Sequence, residues 1–412
     1  MHILLIHQAF VTIAEPGGTR HHEMAKALVQ KGHTVTIIAS TVSYLTGKTG
    51  QPANPDRLST DTNPGISLIY TYTYPALHRS FFHRLLSFIS FMISSFIAAL
   101  RVRNVDLVWG TSPPIFQGFT AWLVARLKGA AFVFEVRDLW PAFAIAIGVL
   151  KNPILIRLSL WLEHFLYSKS DTVMVNSPGF IDHVRLKGAR RIELVPNGAD
   201  PEMFCASEDR QRKRILKKHE GDFICLYAGA HGLSNDLEVV LDAAALLYHE
   251  STINFYLIGD GKEKPNLQSK AAGMGLLNTI FLPPVPKEEM VQVLSEADAC
   301  IAILKPLDLY KTTYPNKVFD YMASGKPVLL AIDGVIREVV EAASAGLFIH
   351  PGDPQDLAEK VLYLKNHPKK TALMGKNGRK YILSNFNRSV ISDRLNVVLE
   401  STLESHHLKV KG

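Results

Sequence analysis

Short apolar runs alternate with helical patterns along the whole chain. The runs at 2–7 (HILLIH), 34–39 (TVTIIA), 67–72 (SLIYTY), 106–110 (DLVWG), 131–136 (AFVFEV), 172–175 (TVMV) and 192–195 (IELV) read as strands. Most lack an apolar–polar alternation, as strands covered on both faces do. Helical periodicity fills the gaps, for example over Gly18–Lys31, Ile115–Leu127 and Ile154–Ser168. The alternation predicts an open, mostly parallel α/β sheet. It pauses at VPNGADPEMF (195–204), and a charged stretch (SEDRQRKRILKKHEGD) reads as a solvated linker. A second series follows at 223–229, 253–259, 279–283, 299–304, 327–332 and 346–350. The expected architecture is two Rossmann-like, doubly wound domains facing across a cleft, 1–200 and 201–385. An amphipathic helix over 386–412 is expected to pack back toward the first. In such sheets ligands sit beyond the carboxyl ends of the strands, so chemistry is sought in the strand-to-helix loops.

Composition narrows the picture. The chain has 412 residues, 47% hydrophobic and 20% charged, as a well-folded protein has. Its net charge of +7 suits phosphate-bearing ligands or an anionic membrane surface. No basic tail points to nucleic acid. Cys205, Cys225 and Cys300 lie far apart and form neither CxxC nor a zinc spacing, as in a reducing cytosol. MHILLIHQAF reads as a first strand rather than a signal peptide.

One apolar run stands out. Leu85–Leu100 (LLSFISFMISSFIAAL) carries no charge, and its flanks, His78, Arg79, His83, Arg84, Arg101 and Arg103, are all basic. It is shorter than the ~20 residues that span a bilayer. A helix here sets Ser87, Ser90, Ser94 and Ser95 on one side and Phe88, Ile89, Met92, Ile93 and Phe96 on the other. It reads either as a core helix or as an interfacial helix meeting anionic lipid, with Phe88, Met92 and Phe96 as contacts.

Several loops could carry chemistry. Gly17 and Gly18 precede a helix, and Arg20 follows, a possible anion seat. GxGxxG is absent, so a dinucleotide fingerprint is not supported. Arg137 and Asp138 follow a buried strand in FEVRDLWPAF, where catalytic groups of such folds collect. In LIGDGKEK, Lys262 follows a glycine turn at a strand end. The fullest signal is TTYPNKVFDYMASGKPVLLA (312–331). Pro315 suits a helix start, and Gly325 with Pro327 suits its end. Lys317 lies in the first turn, after Thr312, Thr313 and Tyr314, placed to receive a diphosphate. Asp320 lies one turn on, suited to ribose hydroxyls. Lysine for phosphate and aspartate for ribose together describe a nucleotide. No Asp-x-Asp or ligand cluster indicates a metal, so charge neutralisation is expected from Arg, Lys and helix termini.

Taken together these segments resemble the GT-B family of retaining, nucleotide-sugar-dependent glycosyltransferases (family 4). The resemblance runs through PGG…HHEMAKALVQKGHTVTIIA, VPNGAD, GDGKEK, FLPPVPKEEMVQVLSEADACIAIL, YPNKVFDYMASGKPVLLA and EVVEAASAGLFIHPGDPQDLAEKV. Within the family the chain is most similar to bacterial transferases that build O-antigen, capsule or colanic-type polysaccharide on lipid carriers. The resemblance implies that Gly18 meets the donor, that Lys317 and the Thr313–Tyr314 backbone hold phosphates, that Asp320 takes the ribose, and that the loop around Val285 frames the base. It implies a UDP-sugar donor, a polyprenyl-linked saccharide acceptor, no cofactor or metal, and a cytoplasmic protein peripheral to the inner membrane. It also implies same-face attack with the anomeric configuration kept. Two departures stand out. The family's paired glutamates are Thr312 and Asp320 here, and the usual basic residue after the second domain's first Ala-Gly is absent, where Ala230-His231 stand. Many members place a histidine where Arg137 stands. A nucleotide-sugar epimerase of the same architecture and a non-catalytic sugar-nucleotide-binding protein are the alternative readings.

Overall fold

The computed structural model of the chain describes residues 1–43, 47, 49–50, 59–60, 64–75, 81–204 and 214–411. His78, Arg79, Cys205 and the first part of the charged stretch after it, to residue 213, lie outside the described residues. The chain divides into two compact units: residues 1–12, 18–196 and 389–412 form the first, and residues 13–17 and 197–388 the second.

The first unit is built on β1 (His2–Ile6), β2 (Thr34–Ser40), β3 (Ser59–Thr60), β4 (Ile66–Thr71), β5 (Leu107–Ser112), β6 (Ala131–Val136), β7 (Thr172–Val175) and β8 (Ile192–Leu194). Their order in the sheet is β3-β4-β2-β1-β5-β6-β7-β8, and only β3 pairs antiparallel. Its helices are α1 (Arg20–Gln30), α2 (Phe81–Arg101), α3 (Phe116–Lys128), α4 (Ala142–Ala146), α5 (Pro153–Lys169) and α6 (Ile181–Leu186). The apolar runs became central strands because both faces are covered: Ile3, Leu4, Leu5, Val108, Trp109 and Val133 are fully buried. Each such side chain contributes roughly 1.5–3 kcal/mol. A polar residue sets the start of α5. Asn152 Oδ1 accepts from Ile154 N at 2.9 Å and Leu155 N at 3.2 Å, with Pro153 at the first helical position of α5.

The second unit carries β9 (Phe223–Ala228), β10 (Ile253–Ile258), β11 (Thr279–Leu282), β12 (Ala299–Ile303), β13 (Val328–Ala331) and β14 (Gly346–Phe348). The sheet is parallel in the order β11-β10-β9-β12-β13-β14. Its helices are α7 (Leu237–Leu246), α8 (Lys264–Gly273), α9 (Lys287–Glu296), α10 (Asn316–Ala323), α11 (Val335–Ala342), α12 (Pro354–Asn366) and α13 (Pro368–Asn385). Cys225 and Cys300 are core residues of β9 and β12.

The last helix, α14 (Arg388–Lys411), belongs to the first unit from Ser389 onward. Asp393 pairs with Lys31 at 2.5 Å, Asn396 Oδ1 meets His33 Nε2, and Thr402 meets Thr172 at 2.8 Å. In both sheets the strand order reverses beside the first strand, at β1/β5 and at β9/β12. That is where a doubly wound sheet opens a crevice for ligands.

Candidate functional site

At the first unit's reversal point, polar groups gather just past the strand ends. His7 follows β1, Thr111 ends β5, and Arg137 and Asp138 follow β6. His7 Nδ1 lies 3.1 Å from Thr111 Oγ1, and Arg137 NH1 lies 3.3 Å from His7 Nε2. A guanidinium can only donate, so Nε2 accepts and the imidazole proton sits on Nδ1, toward Thr111. Burial, with His21 and Arg137 nearby, lowers the His7 pKa well below its usual value, so the ring is neutral. Gln117 Nε2 ties the Thr111 carbonyl at 2.7 Å, and Gln117 Oε1 accepts from Gln8 N at 2.6 Å. Burial pushes Asp138 up to about 6, against the pull of Arg137.

Beneath this layer lies a closed ionic knot. Glu135 of β6 is fully buried and receives Arg20 Nε at 3.0 Å and His21 Nε2 at 2.6 Å. Burial alone would raise its carboxyl; His21, Arg20 and Arg137 hold it well below the usual range. Arg20 also donates to the carbonyls of Pro196 and Val195, both at 2.7 Å. The donor-binding role expected of Arg20 is therefore corrected: its charge is committed to the unit's own interior. Gly18 is exposed, and a β-carbon there would meet nothing within 4 Å. Gly17, at φ 144°, groups with the second unit.

The second unit's reversal point is arranged differently. Its centre is Lys317 in the first turn of α10. The helix is clamped to β9 by Tyr321, whose hydroxyl donates to Ala228 O at 3.2 Å and accepts from Ala228 N at 3.0 Å. One turn before it, the Lys317 ammonium lies 3.8 Å from the centroid of Tyr227. That nitrogen is buried and has no hydrogen-bond partner among the described residues. Burial lowers its pKa to about 7. Gly229 lies beside it at φ 150°, a backbone conformation that favours glycine, and a β-carbon there would come within 2.6 Å of the nitrogen. His231 follows; it is fully buried, and neither ring nitrogen is hydrogen-bonded among the described residues.

Asp320 lies one turn along α10. Its Oδ2 receives Lys287 Nζ at 2.5 Å and Asn316 Nδ2 at 3.3 Å. Lys287 opens α9 just beyond Val285 and also faces the Phe204 ring at 5.1 Å. Val285 is half-buried against the core. Thr312 and Thr313 turn their hydroxyls to backbone carbonyls, of Leu309 at 2.6 Å and Tyr310 at 2.8 Å. The Tyr314 carbonyl accepts from Asn197 Nδ2 at 2.7 Å. Lys262 is exposed, whereas Lys264 Nζ is held by the carbonyls of Gly259 at 2.7 Å and Leu282 at 2.9 Å. Among the described residues no group of three or more His, Cys, Asp or Glu is placed to hold a metal.

Two family models match this chain. The "Glycosyl transferase 4-like domain" covers residues 17–198, and "Glycosyl transferases group 1" covers residues 208–381. The chain belongs to the family 4 glycosyltransferases of GT-B fold. The putative colanic acid biosynthesis glycosyl transferase WcaI of Escherichia coli K12 is 26% identical over 315 residues, covering 74% of this chain and 76% of that protein. Sucrose-phosphate synthase from Thermosynechococcus elongatus shares the fold with a TM-score of 0.79 at 17% identity, covering 98% of this chain and 99% of its own. The crystal structure of Anabaena HepE with UDP and glucose gives a TM-score of 0.72 at 17% identity, covering 97% and 100%.

Against that family pattern, three groups of this glycosyltransferase escaped the sequence reading. His7 was the last letter of an apolar strand, and only its place at a strand end marked it. Lys287 was hidden in the loop expected to frame the base. His231 counted as a missing basic residue.

On the apolar helix α2 the serine side faces the protein and an apolar row faces outward. Ser87 and Ser95 are fully buried, while Phe82, Leu86, Ile89, Ile93, Ile97 and Leu100 face outward. Phe88, Met92 and Phe96 are half-buried, and Phe88 stacks on Phe116 with centroids 5.5 Å apart. The reason is local. Ser90, Ser94 and Ser95 bond carbonyls three residues back, at 2.9, 3.2 and 3.2 Å, and their small size lets the helix lie close to its neighbours. By length and composition, Phe82–Arg101 is also apolar enough to cross a membrane.

Proposed function

We propose that this glycosyltransferase moves an N-acetylated amino sugar, such as N-acetylfucosamine or N-acetylglucosamine, from a UDP-sugar to a polyprenyl-linked saccharide, keeping the anomeric configuration. The observation that carries the donor half is the buried ammonium of Lys317, which has no hydrogen-bond partner among the described residues. Burying such a group is costly unless an anion meets it. UDP in the HepE structures and colanic acid in the name of WcaI support the choice of donor and product class.

In this reading Lys317 receives the leaving diphosphate without a metal ion, and the Thr313–Tyr314 backbone adds donors. Asp320, steadied by Lys287, takes the ribose hydroxyls, and the loop at Val285 flanks the base. Gly18 leaves room for the donor, and Arg137 and Asp138 contact the transferred sugar. The acceptor hydroxyl attacks on the face that the diphosphate leaves, and its proton passes to a leaving phosphate oxygen. A thermal-shift screen of nucleotide sugars tests the donor. Stabilisation by UDP-sugars above other bases is expected; a response to no nucleotide sugar contradicts the reading.

The acceptor half rests on α2. Its outward row is apolar, it carries no acid, and exposed Arg84, Arg101 and Arg103 flank it. This suits an interfacial helix on the cytoplasmic face of the inner membrane, with cations meeting anionic lipid. Ile89→Glu with Ile93→Glu should abolish co-sedimentation with phosphatidylglycerol vesicles while the protein stays folded. Undiminished binding by the double variant contradicts the membrane role of this face.

A further inference from the structure

We propose that His231 is the second cationic donor of the Lys317 seat, and that a nucleoside diphosphate binds there together with a proton that turns the imidazole into an imidazolium. The inference rests on the nucleotide reading above and adds a proton to it.

The residue is held firmly. Its backbone N–H donates to Asp260 O at 2.8 Å, and its carbonyl accepts from Glu263 N at 2.9 Å. The ring lies among Tyr227, at 5.9 Å between centroids, and Phe281, at 6.2 Å. Two glycines make room for it. A β-carbon at Gly261 would fall 2.4 Å from the His231 carbonyl oxygen, and one at Gly259 would fall 3.3 Å from Nε2. An imidazole fixed in this way and buried, with neither nitrogen hydrogen-bonded among the described residues, leaves two polar atoms unsatisfied, which is costly. A purely structural aromatic would avoid that cost.

Four ionisable groups face the ring: Lys317 of α10, Lys264 of α8, Asp260 after β10, and Tyr227 of β9. Burial comes first, then Lys264 and Lys317; they lower the His231 pKa to about 4, and Asp260 opposes them. Tyr227 is pushed far up by burial and stays neutral. Near neutral pH the imidazole alone is therefore uncharged. A diphosphate beside Lys317 reverses the local field, because an anion favours the charged form of a neighbouring base. One proton is drawn from solvent onto a ring nitrogen, whose N–H then donates to a phosphate oxygen. No other bond changes. His231 thereby supplies the positive charge that the family pattern places after Ala-Gly.

The test is calorimetry of the full chain with UDP, and with inorganic pyrophosphate as a base-free probe, at pH 6 and pH 8. Each titration is repeated in buffers of different ionisation enthalpy. Wild type should take up protons on binding either probe and bind more weakly at pH 8; uridine should show no proton uptake. Lys317 also titrates in this range, so the measurement is repeated in Lys317→Arg, whose charge is fixed; the remaining uptake belongs to His231. At pH 6, His231→Gln should bind UDP about tenfold more weakly. In the Lys317→Arg background, His231→Arg should bind it with little pH dependence. Unaltered affinity in folded His231→Gln or His231→Phe, or the absence of proton uptake in Lys317→Arg, overturns the proposal. If wild type binds neither UDP nor pyrophosphate, the nucleotide reading itself falls.

Discussion

The two units place polar clusters at equivalent points of similar sheets, yet the clusters behave in opposite ways. In the first unit the Arg20 charge closes on Glu135, which also receives His21, and Arg137 rests on neutral His7; only His21 Nδ1 and Arg137 Nε in this group lack a hydrogen-bond partner among the described residues. In the second, Lys317 and His231 are buried without hydrogen-bond partners among the described residues, while Lys287 and Asp320 pair alongside. A network whose central charges are paired gives rigidity and a defined shape. An unsatisfied cation gives affinity, because its missing partner must come from outside. The first unit thus reads as a shaped platform and the second as an anion trap.

The comparison can be broken from either side. The largest effect should come from opening the first unit's knot. Glu135→Leu strands Arg20 in the interior and should cost about 3–5 kcal/mol, read as a lower denaturant midpoint. A loss below ~1 kcal/mol would mean that the knot is not structural. Next comes Lys317→Ala. It should leave stability intact and cut sugar transfer by about 10²–10³, equivalent to roughly 2.7–4 kcal/mol. Activity within threefold of wild type would remove Lys317 from the site.

Both large predictions grew from features of different legibility. The sheets could be read from the sequence because strands buried on both faces need apolar runs. Lys317 and Asp320 could be read because a short helix between Pro315 and Gly325 needs neither charge. Arg20 misled because sequence shows a cation near a glycine turn but not Glu135, which reaches it from a distant strand. In α2 the pattern separated serines from apolar residues but not which side is buried: serine is polar in a pattern, yet it can bury itself by bonding to its own helix. His231 was overlooked since a lone histidine declares itself only through neighbours, here Lys264, Lys317 and Asp260.

Smaller effects sharpen the contrast. Lys287→Ala removes the partner of Asp320 and should weaken donor binding by about 1–3 kcal/mol, chiefly in KM for the donor. An unchanged donor KM would separate this ion pair from the ribose role. The smallest effect concerns Asp138, whose carboxyl is raised from its usual 3.8 to about 6. The unfolded chain releases this proton first, so the group's contribution to stability falls as pH rises from about 4 to about 6. Asp138→Asn should therefore stabilise the fold above pH 6 by on the order of 1 kcal/mol and leave it unchanged below pH 4. If the carboxylate serves the sugar, wild-type transfer should also decline as pH drops through about 6, and the variant should lose that limb.

The anion trap itself is tested most directly by hydrogen–deuterium exchange of the full chain with and without UDP. Slower exchange is predicted in segments 227–231, 259–264 and 312–320. Exchange in those segments that stays the same at saturating UDP would contradict it.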